Sequence, residues 1–85
     1  MSSFHAIVYG RLIDALIVAR KSANLTQAEV GERIGARQTF VSKIELGERR
    51  LDVAEFLKVS RAIGADPHQL IRDAESDIPR QSTDT

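Results

Sequence analysis

Gly35 stands between two short amphipathic runs, and that juxtaposition constrains the chain more than any other feature. The upstream run, Thr26-Gln27-Ala28-Glu29-Val30-Gly31-Glu32-Arg33-Ile34, opens on a threonine with a glutamate three residues later. That is the reciprocal capping pattern of a helix start. Val30 and Ile34 give it an apolar stripe at helical spacing. Downstream, Gln38 to Leu46 forms a second helix with Val41 and Ile44 inward and Gly47 at its end. The glycine between them supplies the positive-φ residue that a sharp interhelical turn needs. Gly31, inside the first run, costs about 1 kcal/mol against alanine, so a close crossing by the next helix is expected there. The second helix is poorly capped, because Arg37 sits where Ser, Thr or Asp would be favoured.

The rest of the chain is read the same way. From Ala6 to about Ala23, Ile7, Leu12, Ile13, Leu16 and Ile17, with Val8, Ala15 and Ala19, recur at helical spacing. This first helix ends near Asn24, which tolerates the left-handed conformation of a helix end. Asp52, with Glu55 as capping partner, opens a fourth helix whose inner face reads Val53, Phe56, Leu57, Ser60 and Ile63 before Gly64 stops it. Asp66-Pro67 starts a fifth, proline being well placed at the first helical position; Leu70 and Ile71 complete the core. No strand pattern or internal repeat is present. The expectation is an all-α, compact five-helix domain over residues 1–75. A flexible polar tail over 76–85 follows, where the sequence turns aperiodic.

Composition narrows the chemistry. Eighty-five residues hold one small core, and oligomerisation is a common remedy for so little buried surface. With no cysteine and with His5 and His68 far apart, neither a disulfide framework nor a metal site is expected. No Ser/His/Asp arrangement or glycine-rich phosphate loop appears, so no catalytic residue and no cofactor are assigned; the chain reads as a non-enzyme. No run approaches the roughly 20 apolar residues of a membrane span. The first twenty residues lack a basic leader and are broken by Arg11 and Asp14, so a cytoplasmic protein is the default. Formal net charge is zero, but the charges are unevenly spread. Residues 33–50 carry Arg33, Arg37, Lys43, Arg49 and Arg50 against Glu45 and Glu48, and the acidic excess lies after residue 50. That division supports one anion-facing side.

Two helices hinged at Gly35, the second with a polar outer face, can lay that second helix in a DNA major groove. Gln38 suits a bidentate contact with adenine N6 and N7, against the plain alternative of a solvated first-turn residue. Thr39 offers a hydroxyl and a methyl. Lys43, one turn on, reaches guanine or a phosphate, or stays in water. Arg37 grips a phosphate or enters the groove. Ser42 faces outward near DNA or bonds the carbonyl four residues back. Arg49 and Arg50 follow in a basic loop, as phosphate contacts or solvated charge. Phe40 packs against the preceding helix or the following loop, a thymine-methyl contact being the alternative.

Leu25-Thr26-Gln27-Ala28-Glu29, Gly35, Val41-Ser42-Lys43-Ile44-Glu45, Gly47, Arg49 and Ile63-Gly64-Ala65-Asp66-Pro67 together resemble the helix-turn-helix domain of the Xre/Cro-type phage and bacterial repressors. The resemblance spans roughly Leu12 to Arg72. It implies a lambda-repressor-like domain that dimerises on a near-palindromic operator. It implies that Gln27 contacts a phosphate, that Gln38 and Thr39 touch base edges with Lys43 a turn further on, and that Glu45 pairs with Arg20 on the first helix. Two departures bear on the operator: Arg37 replaces a small capping residue, and Leu46 stands where some relatives carry asparagine. The expected function is sequence-specific transcriptional regulation, by repression first. The alternatives are an antitoxin with a toxin partner, a restriction–modification controller that autoregulates, or a protein-interaction module. The fifth helix (Leu70, Ile71 and Ile78) is the first choice of homodimer surface, and the first helix (Phe4, Val8, Tyr9) the second.

Overall fold

The computed structural model describes residues 4–76. Five helices follow in chain order: α1 (Phe4–Ser22), α2 (Gln27–Ile34), α3 (Gln38–Glu45), α4 (Val53–Ile63) and α5 (Pro67–Ser76). There is no strand among the described residues. Of the expected tail only Ser76 is described, and it belongs to α5.

Local chemistry sets the boundaries. Arg20 and Lys21 lie in the last turn of α1, where the helix dipole favours cations. Asn24 then takes φ 60°, a left-handed conformation that asparagine tolerates. At the start of α2 the Thr26 hydroxyl accepts from the Glu29 amide at 3.0 Å, and the Thr26 amide donates back to Glu29 Oε1 at 2.8 Å. Gly35, at φ 71°, ends the helix; its N–H reaches the Glu32 carbonyl, while that of Ala36 reaches the Gly31 carbonyl at 2.8 Å. A Cβ on Gly31 would sit 2.9 Å from the Ala36 oxygen and 3.1 Å from the Arg37 carbonyl carbon and oxygen. The crowding at Gly31 thus comes from the turn between α2 and α3, not from the body of α3 as expected. Arg37 leaves α3 without a side-chain cap. Asp52 and Glu55 repeat the reciprocal cap at α4, and Asp66 Oδ1 accepts the His68 amide at 2.9 Å at the start of α5.

Ile13 and Leu16 of α1, Val30 and Ile34 of α2, Val41 and Ile44 of α3, Phe56, Val59 and Ile63 of α4, and Leu70 of α5 form one core. Two expectations about facing fail. On α4 the buried arc is Phe56, Val59, Ser60 and Ile63, whereas Val53 is 76% exposed and Leu57 37%. At about 100° per residue, Leu57 lies roughly 110° from the centre of that arc and Val53 at its margin in the first turn. On α5, Pro67, Leu70 and Ala74 point inward, and Ile71, one step round the helix, is 42% exposed. Leu70, at 5%, is a core residue of the single chain. Ser60 is fully buried and satisfies its hydroxyl on the Phe56 carbonyl at 2.7 Å. α5 packs chiefly on α1, and α2 on α3. Among the described residues no helix is long and apolar enough to cross a membrane.

Candidate nucleic-acid interface

Gln38, Ser42, Thr39 and Lys43 fall within a single arc of about 140° on α3, from the 100° step per residue. Gln38, Thr39 and Lys43 are exposed and Ser42 is half-buried. The opposite arc holds Val41 and Ile44, each 4% exposed, with Phe40 and Glu45 at its edges partly buried. Arg37 is exposed just before the first turn. The side chains of Arg37, Thr39 and Lys43 make no hydrogen bond to the described residues. The helix is fixed by its apolar side and turns its polar side outward.

A polar brace holds the two ends of α3. Arg20 donates Nε to Glu45 Oε2 at 2.6 Å and Nη2 to Glu45 Oε1 at 2.9 Å. Its Nη1 donates to the Leu25 carbonyl at 2.9 Å. Both side chains are close to nine-tenths covered, so the pair is a fixed fork-on-carboxylate contact rather than a surface ion pair. Such a pair specifies geometry more reliably than it adds net stability. Gln27 Nε2 donates to the same Glu45 Oε1 at 2.9 Å, and Gln38 Nε2 donates to Gln27 Oε1 at 3.1 Å. Gln27, expected at a phosphate, is thus first a link between the ion pair and Gln38. Its remaining N–H and the amides of the first turn of α2 are what it offers to an anion.

The basic loop differs from expectation. Arg49 and Arg50 are not simply solvated cations. Arg49 lies 4.6 Å over the Phe40 ring, donates Nη1 and Nη2 to Glu55 at 3.0 and 2.8 Å, and bonds the Arg50 carbonyl. Arg50 lies 4.7 Å over the Tyr9 ring, and the Tyr9 hydroxyl accepts the Leu51 amide at 3.0 Å. The Arg49 hydrogen bonds, then the Asp52 amide, pull the Glu55 carboxyl down to about 2. Glu55 in turn raises the Arg49 guanidinium. Phe40 accordingly packs toward the following loop. Arg33, on α2, donates to the Ala62 carbonyl at 2.9 Å near the end of α4, tying those helices together.

The links through Gln27, Tyr9 and Glu55 join residues 6 to 42 positions apart; only the Arg49–Glu55 separation leaves a trace in the sequence, as opposite charges flanking a cap. Among the described residues no group of His, Cys, Asp and Glu could hold a metal ion. Of the expected dimer residues, Ile71 is exposed, Val8 and Tyr9 are half-buried, and Ile78 and the Phe4 side chain lie outside the described part.

The sequence profile of the helix-turn-helix family matches residues 16–70. Two curated relatives, both called antitoxin HigA1, come from two strains of Mycobacterium tuberculosis and are each 40% identical over 55 residues, 65% of this chain. The match covers 37% of their length. A solved structure titled as an XRE-family like protein from Pseudomonas syringae pv. tomato superposes with a TM-score of 0.83 at 47% identity, over 88% of this chain and 92% of that one. With the fold, the Gly35 hinge and the profile in agreement, the chain belongs to the Xre-type helix-turn-helix family of DNA-binding transcriptional regulators.

Proposed function

We propose that the protein is a sequence-specific repressor that binds a near-palindromic operator as a homodimer, each subunit laying α3 in a major groove. The observation that carries this reading is the exposed arc of Gln38, Thr39 and Lys43, the last two making no side-chain hydrogen bond to the described residues, on a helix clamped from behind by Val41, Ile44 and the Arg20–Glu45 pair. Base readers must be held still, because each good bidentate base contact is worth about 1–3 kcal/mol only if it needs no reorganisation. Gln38, Thr39 and Lys43 are assigned to bases, with Arg37 at the groove edge. Gln27, Ser42, Arg49 and Arg50 are assigned to phosphates, which set register and salt dependence but carry no sequence information. The two α3 helices then sit about 34 Å apart, one turn of duplex.

Selection of bound sequences from random duplex DNA tests the reading directly. The expected result is two inverted half-sites with centres about ten base pairs apart, and a binding mass of two chains per duplex. A selected pool with no motif, or binding insensitive to salt, would instead indicate a protein-interaction module. Promoter fusions then separate repression from activation.

A second reading, an antitoxin that masks a toxin while regulating its own promoter, is favoured by the 40% identity to proteins called antitoxin HigA1. Recovery of a stoichiometric second protein with this chain, expressed together with its neighbouring gene, would favour it.

A further inference from the structure

We propose that Glu45, which is not itself a base reader, determines which purine Gln38 selects. It does so by fixing the polarity of two amides in series. The inference rests on the reading of Gln38 as a base contact.

An ionised carboxylate only accepts hydrogen bonds. The Glu45 carboxylate is held in one orientation by the two Arg20 donors. The amide end of Gln27 that faces Glu45 Oε1 at 2.9 Å must therefore be its NH₂ group. Its carbonyl oxygen is then turned the other way, toward Gln38. That oxygen also only accepts, so Gln38 must present its own NH₂ group, at 3.1 Å. Each step leaves the next amide a single favourable orientation, and the chain ends at the surface.

One N–H of Gln38 is spent on Gln27. What remains is one carbonyl oxygen and one N–H, an acceptor beside a donor. Adenine offers the complement in the major groove, the N6 donor beside the N7 acceptor, whereas guanine offers two acceptors, O6 and N7. With the opposite polarity, Gln38 would bond Gln27 through its oxygen and keep both N–H groups, which suit guanine. The direction of the amide chain thus decides between the two purines, and Glu45 sets the direction. Glu45 is a positioning residue: it lies about two turns of α3 from Gln38 and acts through Gln27.

The test is a ratio of affinities for two operator duplexes that differ by A·T or G·C at the single position whose preference disappears in Gln38→Ala. For the wild type the ratio is expected at roughly 5- to 150-fold in favour of adenine. In Glu45→Gln the side chain at 45 can face Gln27 with either end, and the ratio should fall to within about threefold, as expected once either amide polarity is accessible. Gln27→Leu should do the same while keeping Arg20 and Glu45 paired, so a folding defect in the first variant does not leave the matter open. Any uniform loss of affinity cancels in the ratio. Wild-type ratios in both variants would overturn the proposal. Equal losses on both duplexes would reduce Glu45 to a brace and also overturn it. If Gln38→Ala changes the preference at no position in the wild-type selection, the base-reading assignment itself fails, and the relay with it.

Discussion

One substitution, glycine to alanine, should have opposite signs at two helical sites of this protein. Gly10 lies in α1 with nothing within 4 Å of where a Cβ would be. Alanine there restricts the unfolded chain and meets no obstacle, so Gly10→Ala should stabilise by about 0.5–1 kcal/mol. Gly31 lies in α2, buried, with its Cβ position 2.9 Å from one backbone oxygen and 3.1 Å from a backbone carbon and a second oxygen. The same propensity gain of about 1 kcal/mol applies. Against it stands an overpacking cost of about 1–3 kcal/mol. The obstacles are main-chain atoms of Ala36 and Arg37, which no rotamer change can move, so the upper end of that range applies. Gly31→Ala should then lose about 1–2 kcal/mol net. For a domain this size that corresponds to a fall in Tm of roughly 5–15 °C, against a rise of about 3–6 °C for Gly10→Ala. Thermal unfolding followed by far-ultraviolet circular dichroism measures both. If Gly31→Ala melts at or above the wild-type temperature, the close approach of the α2–α3 turn is not a constraint and the reasoning is wrong.

Two further outcomes follow from particular side chains. Leu70→Ala should cost about 2–5 kcal/mol, because the side chain is 5% exposed in the subunit core. Leu70→Asp should abolish cooperative unfolding rather than yield a folded monomer, whereas Ile71→Asp, at an exposed site, should shift stability by less than about 0.5 kcal/mol apart from any loss of dimer; a well-folded Leu70→Asp protein by circular dichroism would contradict the packing. The Arg49 hydrogen bonds and the Asp52 amide hold Glu55 at about 2, and the Thr26 amide and hydroxyl lower Glu29. Both folded values lie below the unfolded one of about 4.3, so the unfolded chain takes up protons first. The stabilisation is complete above about pH 4.3 and is lost as pH falls toward 2. Glu55→Gln should therefore show a smaller drop in Tm between about pH 6 and pH 3 than the wild type, and an identical drop would show that the Arg49–Glu55 contact does not carry the shift.

The helices and their caps were legible because their signals are local. Thr26 with Glu29, Asp52 with Glu55, Gly35 and Asn24 each act within a few residues, and each took the conformation its chemistry requires. The facing of α4 and α5 was less legible. Val53, Leu57 and Ile71 are as apolar as their buried neighbours, and only the centre of the buried arc, set by what α1 and α2 present to it, decides which turn outward. The exposed arc of α3 could be read from Val41 and Ile44. The occupations of Arg49 and Arg50 could not. Packing of Phe40 on the following loop was one of the placements the sequence offered, but nothing in a basic loop says that Tyr9 will come beneath Arg50, because α1 meets that loop only in three dimensions. The amide link through Gln27 is hidden for the same reason.

The stacking of Arg49 on Phe40 changes how genetic data on this protein should be interpreted. A screen for variants that no longer hold their operator would recover position 40, and the obvious inference would be a lost thymine methyl. The aromatic ring is also the seat of a neighbouring guanidinium. Its removal takes away the surface on which Arg49 rests, leaving that cation to Glu55 and the Arg50 carbonyl alone. A phenotype at position 40 therefore reports on the loop before it reports on the base sequence, and a Leu replacement, which keeps the bulk but not the π face, would tell the two apart.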